Sequence, residues 1–136
     1  MGKKMCCLAV LLVCLTVLGG CKKTEKEPKI ADLDFTVLNE EEAPQELKEI
    51  IGEKKQEPFK LTYSDSQFLY LVVGYGEQPT GGYSIQVKDL YLTENHIYLD
   101  ADLMGPSKKE EVSRTPTWPC LIVKLEYRQE SVVFDT

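Results

Sequence analysis

The spacing of apolar and polar positions divides the chain into four zones. Met5 to Leu18 is an uncharged apolar stretch behind Lys3 and Lys4. Residues 22–32 are mostly charged and have no apolar period. Leu33 to Leu38 alternates loosely and predicts a short strand. Glu40-Glu41-Glu42-Ala43-Pro44 then reads as a helix start, with acids at the positive end of the helix dipole and Pro in the first turn. Leu47, Ile50 and Ile51 fall on one helical face, and Gly52 or the Lys54–Lys55 pair marks the exit.

From Phe59 onward the period becomes two. Phe59, Leu61 and Tyr63 alternate with polar residues, Ser64-Asp65-Ser66 turns, and Phe68 to Val73 is dense in β-formers. Tyr83, Ile85 and Val87 form a second alternating run and Ile97, Leu99, Ala101 and Leu103 a third, separated by the polar break Thr93-Glu94-Asn95. That pair predicts a hairpin with one buried face. Cys120 to Tyr127 is strand-like, and Arg128-Gln129-Glu130 turns into a final Val132-Val133-Phe134. The sum is a mainly β protein: one antiparallel, β-sandwich-like domain over residues 33–136 with a short N-terminal helix, α+β only at its margin.

The first zone changes the picture of where such a domain works. A basic start, an apolar stretch shorter than the roughly 20 residues of a spanning helix, and small residues at Gly19-Gly20 describe a secretory signal peptide over residues 1–20. It ends in Leu18-Gly19-Gly20-Cys21, which resembles the lipobox of bacterial lipoproteins. The resemblance implies cleavage before Cys21 and a diacylglycerol on its thiol, with further acylation of the new N-terminus. Each buried methylene contributes about 0.8 kcal/mol, and two or more chains anchor stably where one is marginal. Residues 21–32 then read as a lipid-anchored flexible tether, too charged to bury a core of their own. The expected location is the extracytoplasmic face of a bacterial cell membrane.

Composition narrows the remaining chemistry. The chain has 136 residues, 16 Lys plus Arg and 22 Asp plus Glu, a formal charge of −6. Loss of Lys3 and Lys4 with the signal takes this to −8, and phosphate would be repelled, so no nucleic-acid partner is expected. The one His and the absence of a cysteine cluster in the mature chain leave no metal site and no cofactor beyond the lipid on Cys21. Cys120 has no disulfide partner once Cys6, Cys7 and Cys14 depart and Cys21 is alkylated.

Two loops carry the remaining information. Gly74-Tyr75-Gly76-Glu77-Gln78-Pro79-Thr80-Gly81-Gly82-Tyr83 lies between two strands, with Pro79 fixing its own φ and the glycines free to take positive φ. Two readings are open: a tight connection that lets Tyr83 turn inward, or a recognition loop presenting backbone donors and acceptors. Arg114-Thr115-Pro116-Thr117-Trp118-Pro119-Cys120 holds the sole Trp between prolines, either as a plug over the core or as an interface anchor.

The pattern Gly76 to Ile85, then Gly105-Pro106, Trp118-Pro119 and Val132-Val133-Phe134, resembles the PrcB C-terminal domain family over residues 67–135. The resemblance implies an exported, non-catalytic accessory or binding module, partner or modulator of a surface protease. On that reading Gln78, Pro79, Thr80, Gly81, Gly82 and Tyr83 form a partner-binding loop, and Arg114, Pro116, Trp118 and Pro119 a second. The departure from the pattern is Cys120, where an aromatic often follows the second-loop Pro. A looser likeness is to chagasin-type inhibitors of cysteine peptidases, whose Asn-Pro-Thr-Thr-Gly-Tyr and Arg-Pro-Trp loops sit side by side on a β-sandwich. Gln78 replaces Asn here, and two extra residues separate Arg114 from Trp118. An enzyme would have only Cys120 with His96 as a thiol–imidazole pair. Asp100 and Asp102, two apart on one strand face, are explained by solvation.

Overall fold

Two strands carry apolar residues on both faces, and this decides the architecture. The computed structural model describes residues 27–136; the predicted signal peptide, Cys21 and residues 22–26 lie outside the described residues. In Phe68–Tyr75 every residue but the first and last is buried, and Cys120–Glu126 is nearly as enclosed. A strand buried on both faces needs a layer on each side. The domain supplies a second sheet on one side and a helix on the other.

In chain order the elements are β1 (Ala31–Asp32), β2 (Thr36–Leu38), α1 (Gln45–Lys54), β3 (Pro58–Ser64), β4 (Phe68–Tyr75), β5 (Ser84–Leu92), β6 (His96–Met104), β7 (Cys120–Glu126) and β8 (Ser131–Asp135). They form two four-stranded open sheets, β1-β5-β6-β8 and β2-β7-β4-β3. Leu69, Leu71, Val73, Leu121, Val123 and Leu125 of the second sheet meet Leu90, Ile97, Leu99 and Ala101 of the first to make the inter-sheet core. The opposite faces of β4 and β7 present Tyr70, Val72 and Ile122 to Ala43, Leu47 and Ile51 on the helical side. Each fully buried Leu or Ile contributes about 1.5–3 kcal/mol. Cys120 is a free cysteine, so apolar burial holds the described domain without a disulfide.

The mainly β sandwich with one short helix is as the alternation predicts, and β5 and β6 form the expected antiparallel hairpin, Leu92 opposite Ile97. Four details differ. The three acids do not open the helix: Glu40–Glu42 is a separate 3-10 turn in which the Asn39 N–H donates to Glu42 Oε1 at 3.0 Å. Pro44 stays extended (φ −55°, ψ 145°), so α1 starts only after it; its exit is the expected Lys54–Lys55 pair, not Gly52. Leu33 to Leu38 is split, because the chain leaves the edge of one sheet at Asp32 and joins the other at Thr36, with Leu33 packed on the core between them. Finally, β8 pairs parallel with β6. The segment 127–130 therefore crosses between sheets instead of closing a hairpin with β7.

The end of the segment expected to be a free tether is also ordered. Ala31 and Asp32 pair with Leu92 and Tyr91, and the Ile30 N–H donates to the Leu92 carbonyl at 2.7 Å. Residues 27–32 are thus part of the domain edge, held by polar contacts of Glu27 and Lys29. On the other side β3 is an edge strand. Phe59, Leu61 and Tyr63 pack toward the helix, while Lys60, Thr62 and Ser64 share the face of Leu69, Leu71 and Val73 and remain exposed.

Candidate functional site

Strand directions gather the two loops at one end of the sandwich. β4 and β6 run toward it, β5 and β7 start from it, and β3 begins there with Pro58 opposite Tyr75. Residues 76–83 join β4 to β5, and residues 105–119 join β6 to β7. The loops are hydrogen-bonded to each other. The Gln78 N–H donates to Thr117 O at 2.7 Å and the Thr117 N–H returns to Gln78 O at 3.0 Å, an isolated antiparallel bridge. Thr117 Oγ1 donates to Thr80 O at 2.7 Å, and the Gly81 N–H donates to Ser113 O at 2.9 Å. At the root, the Tyr75 N–H donates to Pro119 O at 3.1 Å and Gln78 Nε2 to Tyr75 O at 3.1 Å.

Packing finishes the join. Gly82 has φ +83°, and a Cβ there would lie 2.5 Å from Val112 Cγ1 and 2.9 Å from Pro106 Cβ. Gly81 is different: its φ is not positive, and its nearest neighbour to an added Cβ, the Ser113 Cβ, is at 3.5 Å. The Tyr83 ring covers Gly105, 3.2 Å from where a Cβ would stand.

The expected site residues consequently divide into two groups. Pro79, Gly82, Arg114 and Pro116 are exposed, together with Glu77 and Thr115 beside them. Gln78, Thr80, Gly81, Tyr83, Trp118 and Pro119 are half-buried. Of the backbone donors a recognition loop would present, the Gln78 and Gly81 N–H groups are spent on the second loop. Trp118 has its Nε1 shielded from solvent without a hydrogen-bond partner, and Lys55 at the end of α1 stands 6.0 Å from its ring. The ring is half-buried and belongs to neither apolar cluster.

The thiol and the imidazole are not brought together. Cys120 opens β7 beneath the helix side, next to Gly74. Burial pushes its thiol up to about 12, with the Glu40 charge adding in the same direction. His96 opens β6 at the far end of the other sheet, half-buried against Glu27. Asp102 is bridged by Lys88 at 2.6 Å, and Asp100 stands between Asp89 and Asp135 in the strand register. Among the described residues no group of three or more His, Cys, Asp or Glu is placed to hold a metal ion.

Residues 69–126 match the family model described as PrcB C-terminal, a stretch that begins in β4, ends with β7 and contains both loops. This segment is similar to the PrcB C-terminal family. The match stops short of Val132-Val133-Phe134, which pairs with β6 from outside it. No curated protein and no solved structure matches the chain. The matched segment thus comprises the hairpin, the two doubly buried strands and the paired loops, while β1 to β3, α1 and β8 are laid around it.

Sequence reasoning singled out the glycines and Trp118 but not their partners. Thr117, Ser113 and Val112 join the loops, and only the extended Pro116-Thr117-Trp118-Pro119 stretch signals that Thr117 has backbone groups free to bridge.

Proposed function

We propose that this protein is a non-catalytic binding module, held at the outer face of a bacterial membrane by a lipid on Cys21, that presents its joined loops to a surface protease or another member of a protease complex. The observation that carries this reading is the bridging of two separate loops into one platform by Gln78, Thr80, Gly81, Ser113 and Thr117. Binding costs less when the contacting segments are already ordered, since their entropy was lost on folding. The exposed part of the platform, Glu77, Pro79 and Arg114 to Pro116, is what a partner would meet. The match of residues 69–126 to the PrcB C-terminal family supports an accessory place in a protease complex, and the lipobox-like Leu18 to Cys21 supports the anchor.

The test is site-specific photo-crosslinking in the native bacterium. A photoreactive side chain at Pro79 or Thr115 is expected to trap a protease or a stable partner of one, and the same group at Glu94, at the opposite end of β5, is not. Equal products from both ends, or adducts containing no protease component, would refute the assignment.

A second reading, direct inhibition of a cysteine peptidase, is favoured by the side-by-side loops. The half-burial of Trp118 with its Nε1 shielded weighs against it, because a wedge needs that ring outside. Residual activity of several papain-like peptidases mixed with the protein decides it: unchanged rates remove this reading.

A further inference from the structure

The chain enters the domain at the end farthest from the paired loops. Glu27 accepts a hydrogen bond from Asn95 Nδ2 at 2.9 Å, on the turn between β5 and β6, and is bonded to His96 Nδ1 at the start of β6. These partners, His96 first, hold the Glu27 carboxyl below its ordinary value. Two residues on, Lys29 bridges Asp89 at 2.7 Å and Asp32 at 3.0 Å while standing 5.0 Å from the Tyr91 ring. The Ile30 N–H bond to Leu92 and the β1 pairing continue the attachment. Several individually weak polar contacts on one short segment share a single ordering cost, so they fix residues 27–32 jointly.

From this we infer that the domain stands on the membrane with the β5–β6 turn as its base and the loop platform facing away. The inference rests on the lipid anchor at Cys21 proposed above. Six residue steps separate Cys21 from Glu27, at most about 20 Å of chain. β5 has nine residues between base and platform, about 27 Å at the strand rise. A gap shorter than the domain's own length leaves no room for the platform to turn under it. Were residues 27–32 free, the reach would grow to nearly twice that and the orientation would be lost. The contacts of Glu27 and Lys29 therefore set which end of the domain a neighbouring surface protein meets.

The experiment uses the lipidated full-length protein in phosphatidylglycerol–phosphatidylethanolamine vesicles carrying a headgroup energy acceptor. A single donor dye is placed at Glu94→Cys, at Pro79→Cys or at Thr115→Cys, with Cys120→Ser throughout. The base dye is expected to be quenched at least twofold more than either platform dye, and Glu27→Ala with Lys29→Ala to narrow that difference. Equal or reversed quenching in protein whose intact mass carries the lipid overturns the orientation while leaving the anchor standing. A mass without lipid in native membranes overturns the anchor and the orientation together.

Discussion

Adjacent glycines in the first loop make opposite demands, and Gly82→Ala against Gly81→Ala is the sharpest measurement of how the platform is held. At Gly82 the backbone is at φ +83°, and the new methyl would lie 2.5 Å from Val112 Cγ1. The left-handed conformation costs a non-glycine residue roughly 1–2 kcal/mol. Relieving the overlap requires Val112 and Pro106 to shift, another ~1–3 kcal/mol on the scale of overpacked sites. The expected loss is about 2–5 kcal/mol. At Gly81 the methyl meets nothing nearer than 3.5 Å and φ is not positive, so Gly81→Ala is expected within about 0.5 kcal/mol of the parent. Urea unfolding followed by Trp118 fluorescence reads both variants in one assay, as the midpoint shift at constant slope. Equal losses at the two positions, or a Gly82→Ala variant as stable as the parent, would refute the account of the loop join.

Two further outcomes follow from burial. The Cys120 thiol, pushed up to about 12 by burial, is expected to resist iodoacetamide at pH 8 in the native protein and to react fully in denaturant; rapid native alkylation would show the strand open at its start. Leu47→Ala removes a fully buried side chain between α1 and the outer face of the second sheet. It should cost about 2–5 kcal/mol, read by thermal unfolding, and a loss under 1 kcal/mol would mean that the helix layer is dispensable.

What the sequence made legible was whatever local periodicity encodes. Ile85 and Val87, then Ile97, Leu99 and Ala101, alternate because one face of the β5–β6 hairpin is buried and the other wet, and Phe68 to Val73 is continuous because both its faces are covered. Non-local facts left no such trace. Ser131 to Asp135 reads as a strand from its own residues, but nothing in them states that it joins β6 in parallel. The two-residue β1 is held by Lys29 and Glu27, charged residues that composition assigns to a solvated tether. The loops were recognisable as constrained from Pro79, Gly82 and Trp118. Their mutual hydrogen bonds were not, since Gln78 and Thr117 are 39 positions apart in the chain.

Lys60 has a bearing on life at a crowded surface. On the proposed lipid anchor, copies would diffuse in two dimensions and collide edge to edge far more often than in free solution. An open strand margin invites such neighbours to zip together. The ammonium of Lys60, set on the side of β3 that continues the apolar core face, would have to be stripped of water in any such stack. That single charge disfavours edge-to-edge pairing of copies through β3.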